Sequence, residues 1–250
     1  MTPQRYWDAR AAANFILGGS GAGLLVAAAL MPANPYAVGL GLALIAAGLF
    51  AVWLEAGKRL RALHVLFNPF TSWMTREAFA AVLVFPLGLG AILTGRFAWA
   101  AAAAAAAFLF CQAMILRAAR GIPAWRAPEV VPLIVLTGLA EGAALALFFA
   151  REPLLIAFFG AAVSLRAAAW LRYRRAVNNA QIDTAGCALL HWGGTLPLIL
   201  LIGGLYVEAF LFAAAAAALG TGVWLKFALV TRAAFHEPFT LPRAPVRGTR

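Results

Sequence analysis

EAGKRLRALHVLFNPFTSWMTRE, running from Glu55 to Glu77, is a polar stretch in a largely apolar chain. It holds the carboxylates Glu55 and Glu77, the cations Lys58, Arg59, Arg61 and Arg76, His64, and the aromatic Trp73. The runs on either side, Tyr36–Leu54 and Ala78–Thr94, contain no charged residue at all. Each is close to the ~20 apolar residues that a helix needs to cross a bilayer. The stretch therefore reads as a polar connector between two membrane-spanning helices.

The rest of the chain repeats this pattern. Of its 250 residues 64% are hydrophobic and only 12% charged, and the mean hydropathy is +0.87. Such values belong to polytopic membrane proteins. Eight spans are predicted: Ala11–Met31, Tyr36–Leu54, Ala78–Thr94, Phe97–Leu116, Val130–Ala150, Pro153–Leu171, Ala185–Leu205 and Tyr206–Val230. The expected fold is all-α, one transmembrane domain over residues 1–250 with eight helices in four hairpins and a tail at 231–250. Little length is left for a soluble nucleotide- or cluster-binding domain.

The net charge of +11 invites a nucleic-acid reading, but its distribution argues otherwise. With eight spans, only Arg96 and Arg151 of the 20 Lys and Arg fall on one face, and Arg166 lies inside a helix; all others, Lys226 included, fall on the opposite face. The positive-inside rule makes that face cytoplasmic and puts both termini there, in what reads as a bacterial inner membrane. Basic loops beside anionic lipid then explain the charge. The apolar run Ala11–Met31 exceeds the ~7–15 residues of a signal-peptide core and reads as a retained first helix.

Several site classes are excluded by what the chain lacks. Cys111 and Cys187 stand alone within apolar spans, so no disulfide framework, iron–sulfur motif or zinc motif is present. Of three histidines, His64 lies in the connector, His236 in the tail, and only His191 in a helix, whereas bis-histidine haem needs two facing helical ligands. No haem and no metal site are expected in this chain. The run Gly18–Gly23 has neither a preceding strand nor the spacing of a dinucleotide or phosphate loop. Gly19 and Gly23 form a GxxxG pair that suits close helix packing, or room for a flat ligand.

The remaining polar residues carry the functional reading. Glu141, Arg166 and His191 lie within spans, and Glu208 opens the last. A charge at the bilayer centre costs at least ~2.5–3.5 kcal/mol, so each needs a partner or a wet cavity. A Glu141–Arg166 pair is one expectation, and snorkelling of Arg166 to the interface another; Glu141 is also a candidate for a proton path. Counted by depth, Asn14, Glu55, Glu77, Arg166 and His191 fall in the cytoplasmic leaflet and with His64 are candidates for one pocket. A quinone head group needs partners for two carbonyl oxygens and a route for two protons, which carboxylates and a histidine near water supply. Trp73 and Trp192 are candidate ring walls or interfacial belt residues. Lys58, Arg59, Arg61, Arg76 and Trp73 are candidates for docking a partner.

The chain resembles the membrane anchor subunits of dimethyl sulfoxide reductase-type molybdoenzymes, within the polysulfide reductase and NrfD-type group. The resemblance is carried by Tyr6-Trp7-Asp8, Arg10 and Asn14 leading into the glycine-rich first helix. It continues through Glu55, Gly57 and Arg61 to the run from Asn68 and Pro69 to Glu77. Thr231-Arg232, His236 and the run from Leu241 to Gly248 most resemble the variant associated with phenylacetyl-CoA:acceptor oxidoreductases. The resemblance implies a haem-free subunit exchanging electrons between quinone and a four-cluster ferredoxin-like iron–sulfur protein, which serves a molybdopterin catalytic subunit. In these anchors a histidine opens the connector and a glutamate closes it, both linked to quinol; Glu77 matches the glutamate, and Glu55 stands where the histidine would be. Two other readings compete: a small ion-coupled transporter, and a structural anchor without quinone chemistry.

Overall fold

The computed structural model describes residues 2–3, 7–55, 66–119, 121–177, 180–204, 206–233 and 235–236. They are helical apart from connecting turns and a two-residue antiparallel pairing of Thr2–Pro3 with Phe235–His236. We number the long helices α1 (Ala9–Ala28), α2 (Pro35–Glu55), α3 (Trp73–Thr94), α4 (Ala98–Ala118), α5 (Val130–Ala146), α6 (Pro153–Ala176), α7 (Ile182–Gly203) and α8 (Glu208–Arg232). Among the described residues seven of these are long and apolar enough to cross a membrane. The eighth, α5, is equally apolar but has only 17 residues, ending four residues before the expected Ala150.

Local chemistry sets the helix ends. The Asp8 carboxylate accepts from the Arg10 and Ala11 amides at 2.7 and 3.4 Å, and the Asn34 side chain accepts from Tyr36 and Ala37 at 3.0 and 3.1 Å. Both occupy otherwise unpaired N-terminal donors. Ser72 does the same for α3, its hydroxyl accepting from the Thr75 amide at 3.3 Å. This cap starts α3 five residues earlier than the apolar pattern predicts. Trp73, Arg76 and Glu77 therefore belong to a helix, not to the connector, and Glu77 sits one turn inside. At its other end α3 closes on Gly95 in the left-handed region, φ 67°.

The helices form two rings of four. In the first, α1 packs on α2, α2 on α3, α3 on α4 and α4 on α1; in the second, α5, α6, α7 and α8 close in the same way. The rings join chiefly through α1 against α5. That crossing depends on missing side chains: a Cβ on Gly23 would meet the Gly138 carbonyl, and one on Gly142 would meet the Gly23 backbone. Gly23 thus serves close packing, as the GxxxG spacing suggests. Gly19 has another role. The space beside it is filled by Lys226 Nζ at 2.7 Å and Gln112 Oε1 at 3.3 Å from the point a Cβ would occupy, which removes the room for a flat ligand there.

Among the described residues three π turns interrupt the helices, at Asn14–Gly18, His191–Thr195 and Ala228–Arg232. A π turn shifts the hydrogen-bond register by one residue and frees a carbonyl. In each of these turns a side chain from another helix or connector binds a carbonyl: Gln112 Nε2 donates to Asn14 O at 2.9 Å, Arg166 Nη2 to Gly193 O, and Trp125 Nε1 to Leu229 O at 3.0 Å. A free buried carbonyl would cost ~1–3 kcal/mol, so these bonds fix both the turns and their donors.

Contacts also define the two ends of the bundle. At one end Trp7 meets Trp125 edge to face at 4.8 Å, Tyr173 donates to Ala124 O at 2.9 Å, and Arg10 reaches Leu54 O at 3.5 Å. At the other, Arg151 pairs with Glu208 at 3.5 Å and lies over Phe212.

Candidate functional site

The first ring holds a buried carboxylate near the Trp7 end. Glu77 lies four residues into α3, about 6 Å along its axis, and is 5% exposed. Asn14, 4% exposed in the π turn of α1, donates from Nδ2 to Glu77 Oε1 at 3.2 Å. The Gln112 amide of α4 also interacts with Glu77. Gly48 of α2 and Gly18 of α1 let the helices close around this group: Cβ atoms there would lie 3.0 and 3.2 Å from Asn14 Oδ1. The arrangement presents a carboxylate, two amides and a buried, unpaired amide oxygen, since Asn14 Oδ1 has no hydrogen-bond partner among the described residues. It can accept a proton and offer both donors and acceptors to a polar ring substituent.

One turn outward from Glu77, on the same side of α3, stands Trp73, its ring 5.8 Å from Phe110 and beneath the Arg76 guanidinium at 4.2 Å. Arg76 also donates to Pro69 O and Phe70 O at 2.9 and 2.8 Å, which ties the end of the connector to α3. Beside Trp73 a cleft of about 850 Å³ is lined by Thr71, Met114, Arg117, Ala118 and Arg126. Its apolar wall and basic rim suit a ligand with a flat ring and polar oxygens.

A second cluster lies deeper, where the rings meet. Lys226 of α8 is fully buried, and its Nζ lies 2.5 Å from Glu141 Oε2 of α5. Ser20 of α1 donates to the same oxygen at 2.6 Å. Arg166, also fully buried, donates to Ala218 O at 2.8 Å and to Gly193 O, within electrostatic reach of Glu141. Glu141 therefore pairs with Lys226, not with Arg166 as expected from the α5–α6 hairpin. Arg166 does not snorkel; its guanidinium holds carbonyls of α7 and α8. Lys226 is not a face cation either. Three small residues make this possible: Cβ atoms at Gly19 and Gly222 would crowd Lys226 and Glu141, and one at Gly193 would collide with Thr221 and lie 3.1 Å from Arg166 Nη2.

Of the residues expected to ring one pocket, the structure joins only Asn14 and Glu77. Arg166 belongs to the deeper cluster. His191 lies in the second ring, exposed, with Nδ1 2.9 Å from Cys187 O, and Trp192 is 62% exposed beside it. The Glu55 side chain and His64, Lys58, Arg59 and Arg61 lie outside the described residues. Gln112, Ser20 and Lys226 escaped the sequence reading. Each is a lone polar residue in an apolar helix, which is the signal that could have found Gln112 and Lys226.

No group of three or more metal-ligating side chains occurs among the described residues. Compared with known proteins, the chain matches no family model and no curated sequence.

Proposed function

We propose that the chain is a haem-free membrane anchor that reacts with quinone, exchanging electrons between the quinone pool and an iron–sulfur subunit of a molybdopterin oxidoreductase. The observation that carries this reading is the Glu77–Asn14 pair: a buried carboxylate, hydrogen-bonded and one turn from a large cleft, at the end of the bundle that bears the connector. It coincides with the residues on which the resemblance rests, and Glu77 is the residue there linked to quinol.

In this reading all eight helices cross the membrane as four hairpins, α5 being extended by the apolar turn Leu147–Phe149. Both termini and the Glu77 end face the cytoplasm of a bacterial inner membrane. The quinone ring enters beside Trp73 and Met114, and Glu77 exchanges a proton with a ring oxygen. Lys58, Arg59, Arg61 and Arg76 are the cations proposed to dock an iron–sulfur protein, so electrons leave at the end where quinone binds. Molybdopterin and clusters reside on the partners.

The test is quinol oxidation by membranes carrying the intact complex. Glu77→Gln keeps the shape of the side chain and removes the proton acceptor, and turnover should fall at least about a hundredfold, the lower end of the usual range for a lost general base. Unchanged turnover would leave a structural anchor. An ion-coupled transporter is the second reading, favoured by the buried Lys226–Glu141–Arg166 cluster. It predicts that Glu141→Gln abolishes function while Glu77→Gln is tolerated.

A further inference from the structure

The buried polar side chains are distributed on one side only. Among the described residues there are ten: Asn14, Ser20, Thr75, Glu77, Gln112, Thr137, Glu141, Arg166, Thr221 and Lys226. Measured along each helix at ~1.5 Å per residue, all lie within about 17 Å of the Trp7 end. Beyond Ser20 in α1 and Glu141 in α5 the interior is apolar, built from residues such as Leu24, Ala27, Ala143, Leu147, Phe159 and Ala214. The Gly23–Gly142 crossing closes the contact between the rings at that level.

On the polar side the groups follow one another at short spacing. Glu77 interacts with Asn14 and Gln112. The point beside Gly19 lies 3.3 Å from Gln112 Oε1 and 2.7 Å from Lys226 Nζ, so the two atoms are at most 6.0 Å apart, with no direct hydrogen bond to Gln112 Oε1. Lys226 then reaches Glu141 at 2.5 Å, with Ser20 on the same carboxylate oxygen. Four buried atoms spaced along this thread have no partner among the described residues: Asn14 Oδ1, Gln112 Oε1, Glu141 Oε1 and Arg166 Nε. Atoms of this kind are hydrogen-bonding positions that internal water takes in protein interiors.

We propose that Glu77, Gln112, Lys226 and Glu141 form a one-ended proton path, which opens beside Glu77, runs inward and stops at the Lys226–Glu141 pair in mid-membrane. Its consequence for turnover rests on the quinone reading. Oxidation of a quinol releases two electrons and two protons; the electrons pass to the iron–sulfur partner at the Glu77 end. A path with no second opening returns both protons to that same face. The reaction through this subunit then moves no net charge across the membrane.

Two measurements on the full chain need no quinone. In the first, the chain is held in lipid nanodiscs and the buffer is switched from H₂O to D₂O. The ammonium band of Lys226, identified by its loss in Lys226→Met, is followed by infrared spectroscopy. Exchange should be slowed at least about tenfold by Gln112→Leu, the equivalent of one buried hydrogen bond, and also by Gln112→Asn, which keeps the amide but shortens its reach. In the second, liposomes containing the chain and a trapped pH dye are given a potassium diffusion potential. Proton flux should equal that of protein-free liposomes in both polarities. Flux well above that level means a through path, and exchange indifferent to both Gln112 variants means no path by this route; either overturns the proposal. Absence of quinol turnover in the complex would overturn the quinone reading without touching these two results.

Discussion

Removing Lys226 alone should be far more damaging than removing Lys226 and Glu141 together. At 2.5 Å and an effective dielectric of ~20, the pair attracts by roughly 7 kcal/mol before desolvation is charged against it. Desolvation consumes most of that, so the net worth of the pair is small. Lys226→Met, however, leaves the Glu141 carboxylate buried, held only by Ser20 and the more distant field of Arg166. Breaking a buried pair from one side costs ~3–5 kcal/mol, or about two to three and a half powers of ten in the unfolding equilibrium. Lys226→Met/Glu141→Gln replaces both charges with neutral groups of similar size and should recover most of the loss. The assay is detergent-driven unfolding of the full chain in mixed micelles, followed by helical circular dichroism, for the wild type, both single variants and the double. A double variant as unstable as Lys226→Met would refute the argument, because it would mean that Lys226 contributes packing rather than charge balance.

Other predictions concern the joints and the site. Gly142→Ala drives a methyl into the Gly23 backbone and should lower stability by ~1–3 kcal/mol, as overpacking does. Gly160→Ala meets nothing within 4 Å and should be neutral or stabilising by up to ~1 kcal/mol from helix propensity; the same unfolding assay compares them. Asn14→Leu removes the donor to Glu77 and should reduce quinol turnover in membranes more than His191→Ala does, since His191 lies in the other ring. Arg166→Met leaves the Gly193 carbonyl unpaired and should speed amide hydrogen exchange over His191–Thr195, while exchange over Asn14–Gly18 stays unchanged.

The helices were legible because their signal is compositional: apolar runs near membrane length bounded by charges and turn residues mark every one of them. The start of α3 was not, because it is set by the Ser72 cap and not by hydropathy. That shift of five residues moves Glu77 from a loop into a buried helical turn. The Asn14–Glu77 contact needed neighbours that depth alone does not supply, and depth equally grouped His191 and Arg166 with them, although they face other surroundings. Lys226 was hidden by its position six residues before the helix-ending Arg232, where a lysine ordinarily belongs to the cytoplasmic rim. The π turns share no clear pattern in the sequence, yet they decide where Gln112 and Arg166 bind.

In the proposed function the Glu77 end receives an iron–sulfur partner and passes it electrons from quinone. The most direct measurement is affinity purification of the full chain from membranes in mild detergent, with mass spectrometry and metal analysis of what accompanies it. A ferredoxin-like subunit and a larger catalytic subunit should accompany the chain, with iron and molybdenum in amounts that match them. A metal-free protein, alone or bound only to copies of itself, would contradict the proposed function and favour the transporter reading.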